Sequence, residues 1–204
     1  MRLGGLILTG GRSRRMGRPK EWLPFGDTTL LGRVATMLRG CAGPVAVVAR
    51  DEDQQLPPLP AGTEVVTDDR PGQGPLAALR RGLSWLRERH GFGADDAAFV
   101  TACDLPFLDA AAVRWLVAQL GDAPLLMPRA DGHLQPLTAI YRLGTLPAIT
   151  DLLATGERSP RALGEIPGCR ILPEATLRTF APELRFLTNV NDPADYARLM
   201  GPSA

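Results

Sequence analysis

Short apolar runs alternate along this chain with stretches whose apolar positions recur every three to four residues. Residues 6–9, 44–49, 64–67, 97–103, 125–128 and 137–141 are brief runs dominated by Leu, Val, Ile and Ala, the length and texture of buried strands. Residues 29–39, 74–90, 110–120 and 146–153 carry helical spacing instead. The second of these is the clearest, because Leu76, Leu79, Leu83 and Leu86 form one stripe that must face apolar structure. Gly40 and Gly156 are placed to stop helices, and Asp109 to cap one. The tail repeats the alternation: a strand is predicted over 186–190, then Asp192 as N-cap, Pro193 at the first helical position and Asp195 in the first turn. Pro57, Pro58 and Pro60 mark a surface loop, and residues 172–183 read as the least regular segment. Strand–helix alternation predicts an α/β fold, a mostly parallel sheet with helices on both faces. In such sheets ligands sit at the carboxyl ends of strands, where the strand order reverses.

Length and charge narrow the picture. A chain of 204 residues is expected to form one domain over residues 1–204. Its formal charge of +1 provides no global field for nucleic acid or an acidic membrane, so any anion must be held by a local basic cluster. Cys41, Cys103 and Cys169 are odd in number and scattered, which argues against a disulfide framework or a zinc site and for a reducing cytoplasm. The first apolar run is too short for a signal peptide, and none approaches the ~20 residues of a membrane span. The expectation is a soluble cytoplasmic protein.

Three segments carry chemistry. Among 23 lysine and arginine residues, Lys20 is the only lysine. It ends the stretch Leu8-Thr9-Gly10-Gly11-Arg12-Ser13-Arg14-Arg15-Met16-Gly17-Arg18-Pro19-Lys20, directly after a predicted strand. A compact ammonium on a flexible stem differs in kind from arginine's planar fork and suits a polyphosphate. Gly10 and Gly11 let a nucleotide approach the main chain closely. The spacing is neither Gly-x-x-x-x-Gly-Lys-Ser/Thr nor Gly-x-Gly-x-x-Gly, which counts against a Walker loop and a dinucleotide-binding oxidoreductase. In Thr101-Ala102-Cys103-Asp104-Leu105-Pro106, Asp104 ends an apolar strand, where a lone carboxylate suits magnesium. Cys103 beside it reads as a small buried side chain, not a nucleophile. Finally, Asp68-Asp69-Arg70-Pro71-Gly72-Gln73-Gly74-Pro75 is a turn opening onto a helix. Its carboxylate can accept from a purine's amino and imino edge, and the helix start can present N–H groups.

The basic loop, continued by Leu23-Pro24-Phe25-Gly26, resembles the signature of molybdenum cofactor guanylyltransferases and their molybdopterin cytidylyltransferase relatives. Gly74-Pro75-Leu76-Ala77, Cys103-Asp104-Leu105-Pro106-Phe107-Leu108, Gln135-Pro136-Leu137 and Asn189-Val190-Asn191 follow in the family's order, so the resemblance runs from about residue 5 to 199. It implies a three-layer, Rossmann-like nucleotidyltransferase fold. It implies that Leu8, Thr9, Gly10 and Gly11 contact the nucleotide with Gly74, that Lys20 contacts its phosphates, and that Asp68 reads the base. Asp104 would bind magnesium and touch the nucleotide. Two departures stand out: the family's asparagine after the second strand is replaced by Val48-Ala49-Arg50, and Thr9 stands where alanine is usual. Arg18-Pro19 before Lys20 resembles the cytidylyl branch, whereas Gly10-Gly11 and Gly74-Pro75-Leu76-Ala77 resemble the guanylyl branch.

The implied reaction moves GMP from magnesium-bound GTP to the terminal phosphate of molybdopterin or its molybdenum form. Lys20 and Arg15 would take the charge developing on the β- and γ-phosphates, and Asp104 would hold the metal. Asn189, Asn191 and Gln135 are candidates for orienting metal-bound water or the acceptor. A molybdoenzyme or its chaperone is a candidate recipient. The alternatives are cytidylyl transfer, nucleotidyl transfer to a sugar or alcohol phosphate, and a non-catalytic GTP-binding module.

Overall fold

Local capping chemistry sets several element boundaries where the spacing predicts them. The computed structural model describes residues 1–9, 19–69 and 72–200. In chain order come β1 (Leu3–Leu8), a 3₁₀ turn (Lys20–Trp22), the hairpin β2 (Pro24–Phe25) and β3 (Thr28–Thr29), then α1 (Leu30–Arg39). β4 (Val45–Ala49), β5 (Thr63–Thr67), α2 (Pro75–His90), β6 (Ala97–Ala102) and α3 (Ala110–Ala118) follow. The remainder is β7 (Leu125–Ala130), β8 (His133–Leu134), β9 (Thr138–Arg142), α4 (Leu146–Ala154), β10 (Arg170–Leu172), α5 (Glu174–Phe180) and α6 (Pro193–Met200). The Thr29 hydroxyl accepts from the Gly32 N–H at 3.1 Å and opens α1; the Asp109 carboxylate accepts from the Ala112 N–H at 2.7 Å and opens α3.

The strands form one sheet in the order β10-β7-β9-β6-β1-β4-β5, with β8 paired to β7 at its margin. β1 is central and parallel to both β4 and β6, and β4 is parallel to β5. β9 alone on this path runs against its neighbours, antiparallel to β6 and β7. Residues 131–137, which join β7 to β9, are too few for a parallel crossover, which takes a dozen or more.

Alternate residues of the central strands feed two cores. Leu6, Leu8, Ala46, Val48 and Val100 pack with the predicted α2 stripe, Leu76, Leu79, Leu83 and Leu86, and with Ile149 of α4. Ile7, Val45, Val47 and Phe99 pack on the other face with Leu31, Val34 and Leu38 of α1, Val113 and Leu116 of α3, and Leu177 of α5. This two-sided burial is the three-layer α/β arrangement. At β1 both helices come close: a Cβ on Gly4 would lie 2.6 Å from Leu86, and one on Gly5 2.7 Å from Leu38. Among the described residues, no helix is long and apolar enough to cross a membrane.

Two expectations fail. Residues 186–190 do not form a strand; a 3₁₀ turn covers Arg185–Leu187, entered from Leu184 at φ 51°. The apolar positions there serve as separate anchors, Phe186 in the core under α3 and α5, Val190 in a small cluster with Leu23 and Leu30. Periodicity cannot tell a short buried strand from two such anchors. Residues 172–183 are also more regular than expected, since they contain α5, whose Leu177 is fully buried.

Candidate active site

Register brings the candidate residues to one edge. Leu8 stands opposite Val48 of β4 and Ala102 of β6, so the segments after all three strands leave from the same carboxyl edge. The chain steps outward from β1 to β4 and β5, then returns to the other side of β1 as β6. The order therefore reverses at β1, the place where open α/β sheets bind ligands.

Lys20 and Asp104 meet at that edge. The Lys20 ammonium donates to Asp104 Oδ2 at 2.9 Å, with side chains 16% and 20% exposed. Each is shielded enough to strengthen the attraction and open enough to be reached by a ligand. Asp104 is also tied to the late asparagines, because its carbonyl accepts the Val190 N–H at 2.9 Å. Buried Val190 thus brings its neighbours, half-buried Asn189 and exposed Asn191, to the end of β6. Burial, then the Asp104 charge, pushes the Cys103 thiol far above its ordinary range, in keeping with an inert strand residue.

The nucleotide-loop candidates divide. Gly10, Gly11 and Arg15 lie outside the described residues. Leu8 points into the core under α2, so only its peptide group can face a ligand. Thr9 spends its hydroxyl and its N–H on the Val48 carbonyl, at 3.0 and 3.2 Å, which extends the β1–β4 pairing by one residue. Asp68 follows β5 on the same edge, is buried, and donates its N–H to the Ala49 carbonyl at 2.8 Å. Two strand spacings separate β5 from β1, roughly 10 Å.

Other candidates have structural partners. Gly74 caps α2 at φ 83°, and a Cβ there would stand 2.9 Å from Arg158 Cβ and 3.0 Å from its carbonyl oxygen. The missing side chain is thus used by the chain itself, whose Arg158 carbonyl accepts the Leu76 N–H at 3.1 Å. Gln135 turns its amide back on its own loop, donating to the carbonyls of His133 at 3.3 Å and Ala130 at 3.5 Å. His133 is exposed. Trp22, 42% exposed, donates its indole N–H to the Gln55 carbonyl at 3.0 Å.

Sequence reasoning passed over Glu21 and Gln54. Glu21 is buried to 6% exposure beside Lys20, and its Oε1 accepts from Gln54 Nε2 at 2.8 Å. The same amide donates to the Thr9 carbonyl at 3.2 Å. Directly after β4, the Arg50 N–H donates to Gln54 Oε1 at 2.7 Å. Nothing in Asp51-Glu52-Asp53-Gln54-Gln55 distinguishes one loop glutamine from the other.

Among the described residues, no three His, Cys, Asp or Glu side chains converge as a metal cage. Asp104 is a hard oxygen donor at an accessible strand end. That fits magnesium, which needs one or two carboxylates and takes its other ligands from phosphate and water.

The sequence profile of the MobA-like NTP transferase domain matches residues 5–168. A probable molybdenum cofactor guanylyltransferase of Mycobacterium avium is 38% identical over 203 residues, covering 98% of this chain and 95% of its own. One from Carboxydothermus hydrogenoformans is 34% identical over 199 residues, covering 95% of this chain and 93% of its own. The crystal structure of molybdopterin-guanine dinucleotide biosynthesis protein A from Archaeoglobus fulgidus superposes with a TM-score of 0.75 at 24% identity. It covers 96% of this chain and 95% of its own, a likeness of fold.

Proposed function

This chain belongs to the MobA-like NTP transferase family, and from that premise we propose that it transfers GMP from GTP to the terminal phosphate of molybdopterin or its molybdenum form. The observation that carries the reading is the Lys20–Asp104 pair, 2.9 Å apart where the strand order reverses. A cation and a metal-competent carboxylate at one point are what a nucleoside triphosphate needs when its α-phosphate is attacked.

In the reaction, an oxygen of the acceptor phosphate forms a bond to the α-phosphorus of GTP. The bond from that phosphorus to the bridging oxygen breaks, and pyrophosphate leaves with the electron pair. The acceptor is already anionic, so no side chain has to remove a proton. The protein's work is to align two anions and to stabilise charge. Lys20, with Arg15, takes the charge that grows on the departing β- and γ-phosphates. Asp104, with Asn189 or Asn191 near it, would hold magnesium. When bound, the ion would supply positive charge beside the phosphates. The peptide groups of Leu8, Thr9, Gly10 and Gly11 line the nucleotide, and Asp68 accepts from the guanine edge. The roughly 10 Å from β1 to β5 suits a base held apart from its phosphates. Gln135 keeps its own loop in shape through its bonds to the His133 and Ala130 carbonyls, and Gly74 leaves the room in which the Arg158 carbonyl meets the start of α2.

Pyrophosphate release with GTP, CTP, ATP and UTP, each with and without molybdopterin, tests this. Release specific to GTP and dependent on molybdopterin is expected. Release with CTP alone would move the assignment to cytidylyl transfer, the reading that Arg18-Pro19 favours. Release only with a sugar or alcohol phosphate would replace the acceptor. GTP binding without release under any condition would make the chain a binding module.

A further inference from the structure

The turn that carries Lys20 is gripped from one loop at two consecutive positions. Trp22 reaches the Gln55 carbonyl, and Glu21 receives the Gln54 amide. Gln54 is itself held by that loop, since its Oε1 accepts the Arg50 N–H at 2.7 Å and its N–H reaches the Asp51 carbonyl at 3.4 Å. Its two amide hydrogens then leave in different directions, one to Glu21 and one to the Thr9 carbonyl at the end of β1. A single side chain therefore ties together the loop after β4, the start of the glycine loop and the residue next to Lys20.

We infer that Gln54 is a positioning residue for nucleotidyl transfer, setting through Glu21 and Thr9 where the Lys20 ammonium and the end of β1 stand relative to Asp104. The inference rests on the reading of Lys20 given above. Both Gln54 N–H groups are already used, so Gln54 does not read the substrate; it acts through its neighbours. Glu21 supports the same conclusion. A carboxyl group buried next to the proposed phosphate-binding lysine needs a hydrogen-bond donor, and the Gln54 amide supplies one. A displacement of about 1 Å in a positioned group can cost up to ~10²-fold in rate, so loss of this link should reach turnover without touching a ligand contact.

The test is a cycle of wild type, Gln54→Met, Lys20→Ala and the double variant, read as kcat and KM for pyrophosphate release from GTP and molybdopterin with magnesium. Methionine keeps the length of the side chain and removes both donors. Gln54→Met is expected to lower kcat by roughly 10- to 100-fold, with a smaller change in KM for GTP. In the Lys20→Ala background the same substitution should cost almost nothing more, which a merely structural role would not produce. Equal losses in both backgrounds, or wild-type kcat in Gln54→Met while Lys20→Ala is impaired, would overturn this inference alone. Unchanged kcat in Lys20→Ala would overturn it together with the reading of the site. If Gln54→Met does not fold, Gln54→Glu decides against Gln54→Glu combined with Glu21→Gln. Neither variant has a donor at position 54 for the Thr9 carbonyl, so the pair differs from the single variant only in restoring the 54–21 hydrogen bond with donor and acceptor exchanged, and it should exceed the single variant in kcat; no gain overturns the inference.

Discussion

Lys20 Nζ lies 2.9 Å from Asp104 Oδ2 across 84 positions of sequence. Two strands lying side by side produce this contact: β1 leads to the lysine, and β6 ends just before the aspartate. In the absence of ligand each neutralises the other. On the proposed reading a nucleotide and its metal would have to separate them, the phosphates drawing Lys20 and the metal drawing Asp104.

Asp104→Asn should therefore act in two opposite ways. Magnesium-dependent turnover should fall by at least ~10²-fold, the scale of one lost electrostatic contact in a preorganised site. GTP binding measured by calorimetry in EDTA should be as tight as in the wild type or tighter, because the Asp104 charge no longer competes with the phosphates for Lys20. Weaker metal-free binding would show that the pair does not compete with nucleotide.

Replacing Lys20 should show that its chemistry, not only its charge, matters. Lys20→Ala should lower kcat by roughly 10²–10³-fold. Lys20→Arg keeps the charge but brings a wide planar fork to a part-buried site shaped around a point donor, so it should remain well below wild type. Steady-state kinetics on folded protein checks both, and wild-type kcat in Lys20→Arg would reduce the requirement to charge alone.

Gly74→Ala should destabilise the fold by about 1–3 kcal/mol, the cost of a strained backbone conformation. The residue sits at φ 83°, and its new methyl would meet Arg158 at 2.9–3.0 Å. Urea unfolding should show a lower midpoint. A wild-type midpoint with weakened GTP binding would instead make Gly74 a ligand contact and nothing more.

Asp96 joins the chain start to the α2–β6 connection and gives the fold an acid-sensitive point. It accepts from the Arg2 backbone N–H at 2.7 Å, from Arg2 Nε at 2.9 Å and Nη2 at 2.8 Å, and from the Gly93 N–H at 3.0 Å. These bonds, the Arg2 backbone N–H foremost, lower its carboxyl to about 2 from an ordinary 3.8. A depressed folded-state pKa contributes stability that is complete above pH ~4 and lost as pH falls through about 2. Asp96→Asn should cost about 1–2 kcal/mol at neutral pH, toward the lower end because Arg2 is half exposed. The difference from wild type should shrink in melts taken between pH 4 and 2; a constant gap would remove the carboxylate's charge from the account.

Local chemistry made much of this protein legible in advance. The Leu76–Leu79–Leu83–Leu86 stripe, the Thr29–Gly40 and Asp109 boundaries and the β1, β4 and β6 runs follow from side chains a few residues apart, and all appear as expected. Lys20 and Asp104 were visible as residue types too, one as the lone lysine after a glycine loop and the other as a carboxylate ending an apolar run. Residues 186–190 misled because Phe186 and Val190 are buried in different clusters, and an apolar run does not record which surface covers each of its members.

What the amino-acid order determined by itself was the alternation of elements, the chemical character of the loop after β1 and the acid at the end of β6. What only tertiary structure decided was which of these meet: the reversal of strand order at β1, the reversed course of β9, the Lys20–Asp104 contact, and the use of Gln54 in place of its neighbour Gln55 to hold Glu21 and Thr9. Periodicity and capping depend on atoms within a turn or two of the chain, so they are written along it. Contacts between distant loops depend on which strands lie side by side, and that is set by packing of the whole sheet between its two helical layers.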